Sequence, residues 1–359
     1  MRKLGLALFA ALTASFGAAA HAETPAASGP LKDMIEAAKQ EGQLSIVVGE
    51  GTLGGSNSGL GAAFNKYYGF SLDVRFTPGP PMPNVVAAVV QQYQAHKPAI
   101  TDVIVGYANH MTDLIAAQAG EKVDWKSWAP NLQQANLVSP EGVAVPMMSS
   151  TPGIAYNTNV FHGADIPTKF HDFLDPKLRG RVATTPYASQ FDRLATPEMW
   201  GKDAMLAFAR KLSDQVGGLI RCNEMDRIAS GEFDAFALTC SQNDVLATAA
   251  KGAPVGFTLA SDASIITLLY EAVPATAAHP NAAKLWINFM SSKEAQKILY
   301  DVSFADLHLL PGSKTGQSID ALEAKGAKFL IVDTDFYRSH DTAEMNQALS
   351  DVQKIFQAR

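Results

Sequence analysis

Gly49-Glu-Gly-Thr-Leu-Gly54 is a literal G-x-G-x-x-G, and Asp73 stands 19 residues beyond its last glycine. In a strand–turn–helix unit such glycines let the backbone approach a pyrophosphate, and an acid about 20 residues on meets a ribose hydroxyl. An NAD-dependent oxidoreductase is therefore one alternative reading. Two features oppose it. The loop runs on through Gly55-Ser-Asn-Ser-Gly59 instead of opening a helix at once, and Asp73 falls early in its predicted strand rather than at the end. A loop of backbone N–H groups and hydroxyls ahead of a helix still suits a polar or anionic ligand. Ser56, Asn57 and Ser58 are its candidate contacts, and a flexible surface loop is the plainer reading.

Other chemistry finds less support. Ser56 and Ser58 lack the paired glycines of G-x-S-x-G. The eight histidines include no H-E-x-x-H, and no Cys/His set has zinc spacing. Triads assemble in space, so a missing motif does not exclude catalysis, but binding is the better reading. No catalytic residue, metal site or cofactor is assigned, and His110 and His279 read as ordinary surface or loop residues. Arg193 and Arg221 lie beside predicted strand ends. A guanidinium fork there can hold a carboxylate or phosphate, or simply pair with a neighbour such as Asp192 or Glu224.

Residues 1–22 have the form of a cleavable signal peptide: Arg2 and Lys3, then an apolar, small-residue run, then Ala20-His21-Ala22. Export into a bacterial periplasm follows, away from the cell's nicotinamide pool. Setting this segment aside leaves 337 of the 359 residues and a net charge near −8. That length exceeds what one core usually supports, so two lobes are expected. The negative charge argues against nucleic acid or an anionic membrane as partner. Two cysteines remain, Cys222 and Cys240, each after an apolar run. If those runs are neighbouring strands the pair is within disulfide reach; otherwise they are two separate buried thiols.

The elements that would position these residues alternate between strand and helix, which implies parallel sheets with helices on their faces. Ligands then sit beyond the carboxyl ends of the strands, placing Tyr107, after the strand Asp102–Val105, on the same rim as the glycine loop. Val143 to Phe161 holds two apolar runs about a polar patch, Ser149, Ser150 and Thr151, and a Pro152-Gly153 break. It reads as a strand crossing from one lobe to the other, or as an ordinary buried strand with a polar bend. Gly256–Leu259 and Ile265–Val273 read as the return. The expected division is 30–145 with 262–359 as the first lobe, the C-terminal helix included, and 146–261 as the second.

Four segments resemble ABC-transporter solute-binding proteins of the ferric-iron type. They are Ile154-Ala-Tyr-Asn-Thr-Asn-Val-Phe161, Ile166 to Ala183, the turn Ser230-Gly-Glu-Phe-Asp-Ala235, and Ala282 to Gln296. The resemblance spans nearly the whole chain after residue 22. It implies an α/β, two-lobe periplasmic-binding-protein fold of type II, each lobe a mainly parallel sheet flanked by helices, joined by crossing hinge strands. It also implies a monomer with no chemistry of its own that closes on a small-molecule solute and delivers it to a membrane permease. Ferric-binding members carry adjacent tyrosines in the loop that here reads Cys240-Ser-Gln-Asn-Asp244, and Tyr187 alone could match a more distant one. A ferric-iron carrier is therefore the alternative, and a small polar or anionic organic solute the main reading. The candidate contacts are Ser56, Asn57, Ser58 and Tyr107 from the first lobe, with Ser150, Thr151, Tyr187, Arg221 and Gln242 from the crossing and second lobe.

Overall fold

The computed structural model describes residues 29–48, 53, 58–134, 136–340 and 342–358. Its strands are β1 (Gln43–Val48), β2 (Asp73–Pro78), β3 (Ile104–Tyr107), β4 (Val145–Ser150), β5 (Ile154–Asn157), β6 (Val182–Thr184), β7 (Val216–Leu219), β8 (Ala235–Ala237), β9 (Val255–Thr258), β10 (Ser264–Ala272) and β11 (Phe329–Val332). β1 and β2 pair in parallel, as do β7–β6 and β6–β8. The strands that leave or re-enter a lobe run antiparallel: β4 and β3 on β10, and β8 and β9 on β5. Each lobe is thus a parallel βα core extended by antiparallel crossing strands.

Pattern explains placement. β1 alternates, burying Leu44, Ile46 and Val48 and leaving the intervening residues half-exposed, as a strand covered mainly on one face should. β10 is buried along its whole length. It begins among second-lobe side chains at Ile265 and ends in the first-lobe core at Leu268, Leu269 and Ala272. Asp102 fastens β1 to the approach of β3. Its carboxylate accepts from Ser45 N at 2.8 Å and from His279 N at 2.9 Å, and lies 2.8 Å from His279 Nδ1. His279, read from sequence as a loop residue, is therefore a structural clasp.

The first-lobe core is knit by aromatic edges, with Phe64 meeting Trp286 at 5.4 Å and Phe70 at 5.2 Å between ring centroids. The second-lobe sheet is covered on one face by Phe170, Phe173, Phe191 and Phe208, and on the other by Ile220, Met225, Ile228 and Phe236.

The C-terminal helix, Thr342–Gln357, departs from expectation. It docks on the second lobe, not the first: Met345, Ala348, Val352 and Phe356 join that core, and Phe356 meets Phe191 at 5.5 Å. Full burial of a Val, Met or Phe side chain contributes about 1.5–3 kcal/mol, so this stripe alone fixes the helix. The chain therefore makes three transits between lobes: β4 to β5, β9 through β10, and β11 to the helix Thr334–Ser339.

Gly153 occupies the first transit. Its N–H donates to Thr239 Oγ1 at 3.0 Å and its carbonyl accepts from Thr239 N at 2.9 Å. A Cβ there would lie 2.5 Å from the Thr258 carbonyl oxygen and 2.7 Å from the Phe257 ring. Gly153→Ala should lower stability by about 1–3 kcal/mol, read from urea midpoints.

Glu271, buried on β10, accepts from Trp286 Nε1 at 2.8 Å, and burial pushes its carboxyl up to about 8. Between the ordinary carboxylate range and pH 8 the unfolded chain is ionised there while the folded chain keeps its proton, so stability falls as pH rises. Below that window the contribution is complete; above about pH 8 it is lost. Glu271→Gln should flatten this decline in urea titrations at pH 5 and pH 8.5.

Candidate functional site

Loops at the carboxyl ends of β6, β7 and β8 form the second-lobe wall of the gap between lobes. The β6 loop carries Tyr187, with Ala188 and Gln190 at φ 51° and 69°; the β8 loop begins at Leu238, φ 58°. Non-glycine residues held in the left-handed region cost energy, and such positions concentrate where a loop must present groups to a ligand.

Cys222 and Cys240 form a disulfide that joins the β7 loop to the β8 loop, across the end of β6 between them. Of the two sequence alternatives, the bridge is the one made. Tyr187 lies on it: its hydroxyl is 3.1 Å from Cys222 Sγ, 3.5 Å from Cys240 Sγ, and accepts from Cys222 N at 3.2 Å. Three loops from adjacent strands are thereby locked together. The Tyr187 ring stays 41 % exposed.

Tyr107 ends β3 in the first lobe, yet the two charges that act on its phenol, Arg193 and Asp244, belong to the second. Desolvation raises its phenol above the ordinary tyrosine range, while 37 % of its surface stays open. His110 Nδ1 accepts from Tyr107 N at 3.1 Å and fixes the start of the helix Ala108–Ala116.

The remaining candidates take different places. Ser56 and Asn57 lie outside the described residues. Ser58 is buried, and its Oγ accepts from Leu60 N at 3.3 Å, just ahead of the helix Leu60–Tyr68. Ser150 is buried in β4, its carbonyl accepting from Thr267 Oγ1 at 3.2 Å. Thr151 and Gln242 are bonded to each other: Gln242 Oε1 accepts from Thr151 N at 2.7 Å and Thr151 Oγ1 at 3.1 Å, while Gln242 Nε2 donates to Phe304 O at 3.5 Å. Gln242 is thus a strap from the second lobe to the transit and the first lobe. Arg221 is exposed on the β7 loop; its backbone N–H donates to Glu224 Oε2 at 2.5 Å, and its guanidinium has no ion-pair partner among the described residues. Arg193 takes the alternative of a local pair, binding Asp192 at 2.7 Å and Tyr337 Oη at 2.8 Å.

Cavities open on both sides of these groups. One of about 450 Å³ is lined by Thr151, Gln242 and Phe257 and, from the first lobe, by Tyr300, Phe304 and Lys314. Another, of about 340 Å³ and strongly polar, lies between Asn109, Thr112 and Asp113 on one side and Asp192, Arg193 and Tyr337 on the other. Asp244 was not singled out from sequence. It lies in the first turn of the helix Asn243–Ala250, half-buried, and its charge acts on both Tyr107 and Tyr187. Its signal was positional only, one turn into the helix after β8. No group of three or more His, Cys, Asp or Glu side chains is placed for a metal ion among the described residues.

A Ser–His contact also appears: Ser149 Oγ lies 2.6 Å from His308 Nδ1. Ser149 is completely buried and also accepts from His308 N at 3.0 Å, so the contact binds β4 to the Asp306–His308 segment rather than exposing a nucleophile.

The sequence profile of the family described as bacterial extracellular solute-binding protein matches residues 99–340. The chain belongs to this family. Solved structures share its fold across most of both chains. The substrate-binding protein of an ABC transporter from Agrobacterium tumefaciens has a TM-score of 0.68 at 15 % identity, covering 88 % of this chain and 96 % of that one. Iron-bound HitA from Pseudomonas aeruginosa gives 0.64 at 18 %, covering 87 % and 99 %. PBP AgtB from A. tumefaciens R10, in complex with agropinic acid, gives 0.63 at 18 %, covering 88 % and 98 %. No curated protein matches the chain in sequence. These likenesses establish the two-lobe type II fold, and the family makes the chain a solute-binding protein.

The solute-binding protein's second-lobe wall depends on its disulfide, which spans 18 residues of sequence. A loop of that length predicts about 2–4 kcal/mol of stabilisation. The double variant Cys222→Ser with Cys240→Ser should lose that amount in urea unfolding, and the unreduced native protein, once denatured, should show no titratable thiol.

Proposed function

We propose that this chain is the periplasmic receptor of an ABC importer, performs no chemistry, and hands a small polar or anionic organic solute to an inner-membrane permease. What supports the reading is a pair of cores joined by three transits, with a polar cavity of about 340 Å³ lined by Asn109, Thr112 and Asp113 on one side and Asp192, Arg193 and Tyr337 on the other. Hinge closure about such connectors enfolds a ligand. Arg221 supplies a guanidinium free of ion pairs among the described residues, suited to a carboxylate or phosphate. Thr151 and Gln242 act in this reading as hinge positions more than as ligand contacts, because their polar groups already engage one another.

An organic solute is favoured over ferric iron because the loop Cys240–Asp244 offers no phenolate and its one thiol is in the disulfide. The signal peptide read from residues 1–22 supports export, and a monomer suffices for this role.

A thermal-shift screen over organic acids, phosphorylated solutes and ferric salts, followed by small-angle scattering, tests this reading. A cognate solute at a hundredfold excess over its Kd should stabilise by about 2.7 kcal/mol and shrink the radius of gyration. A melt shifted only by ferric salts, with charge-transfer colour, would replace the organic solute with iron.

A further inference from the structure

A cavity of about 540 Å³ opens within the first lobe, between the turn Pro130–Leu132, the helix Lys293–Ser303 and the segment 306–314. Each of these walls sends a residue into the first-lobe core: Leu132, Leu299 and Leu307. Small-molecule sites run from about 300 to 1,000 Å³, so the space is of ligand size. Tyr300 and Lys314 also line the cavity of about 450 Å³ beside Gln242, and form the wall that the two cavities share.

The buried polar groups of the floor are already bonded. Gln296 Nε2 donates to Met147 O at 3.0 Å and Met290 O at 2.6 Å, and its Oε1 accepts from Leu307 N at 2.7 Å. The Asp306 carboxylate accepts from Ser313 Oγ at 2.7 Å, Lys314 N at 2.7 Å and Thr315 N at 2.8 Å. These bonds hold the walls in place and ask nothing of a ligand.

What is left to offer is apolar surface and positive charge. Pro130, Leu307, Leu310, Pro311 and the Tyr300 ring supply the first. Lys293, Lys297 and Lys314 supply the second, in a chain whose net charge is −6. Lys297 is paired with Asp301 at 2.5 Å, but neither Lys293 nor Lys314 has an ion pair among the described residues. The Lys314 ammonium lies 4.2 Å from the centre of the Tyr300 ring, which keeps the charge against the apolar wall.

We propose that this cavity is a second ligand site, taking a small amphipathic organic anion. Its aromatic or aliphatic body would lie against Tyr300, Leu307 and Leu310, and its carboxylate would be held by Lys293 and Lys314. Burial of the body supplies affinity, and the two ammonium groups select the charge. The ligand is distinct from the transported solute, so the receptor reading does not depend on it.

Titration calorimetry on the full mature chain tests this with naphthoate and octanoate against naphthamide and octanamide, which keep the apolar body and lose the charge. Both carboxylates should bind, and each amide should bind at least about tenfold more weakly. The double variant Lys293→Gln with Lys314→Gln should weaken the carboxylates by a similar factor and leave the amides unchanged. Leu310→Gln should weaken acids and amides alike. Lys211→Gln, exposed on the helix Lys202–Gln215 of the second lobe, should change nothing. Should Leu310→Gln fail to keep the wild-type melting point, the lysine variant, altered only at exposed positions, decides alone. No binding of either carboxylate, equal binding of acid and amide, or carboxylate binding undiminished in the lysine variant overturns the inference. Retention on phosphatidylglycerol vesicles without binding of the free carboxylates also overturns it, because the lysines then serve a membrane surface.

Discussion

The Gln242 carboxamide is the contact that joins the second lobe to the first transit and to the first lobe. Its oxygen takes both donors of Thr151 in the first transit, while its amide reaches the Phe304 carbonyl of the first lobe. One side chain thus ties the loop after β8 to the connector and to the opposite body. Buried hydrogen bonds of this kind contribute about 0.5–1.5 kcal/mol each when made and cost more when one partner is left alone. Gly153, two residues along, keeps the connector tight against the Thr258 carbonyl.

The second-lobe wall is rigid for a different reason. The disulfide and the Tyr187 hydroxyl lock three strand-end loops together, so the groups they carry keep their relative positions whether the gap is open or closed. A ligand meeting such a wall has little ordering to do, and more of its contact energy remains as affinity. The first-lobe side is held by Asp102 and His110 instead, at the roots of the elements that present Tyr107.

Much of this was legible in the residues. Period-two burial in β1 and the helix Leu60–Tyr68 follow from spacing alone, and the polar patch at Ser149–Thr151 lies between Met148 of one core and Ile154 of the other. Spacing says only that a helix buries a face, not which body receives it, and so the C-terminal helix was assigned to the wrong lobe. Polar loop residues are ambiguous in the same way. Ser58, Thr151 and Gln242 have the right types for ligand contacts, but backbone donors and one another claim them first. The Asp244 carboxylate has no such partner among the described residues, and only the fold reveals that.

The third transit gives the molecule an unusual pair of ends. The helix Pro30–Glu41 buries Leu31, Ile35 and Ala38 in the first lobe, whereas Thr342–Gln357 rides on the second. The first and last described helices therefore belong to opposite cores, so the distance between them measures how the two bodies are set against each other.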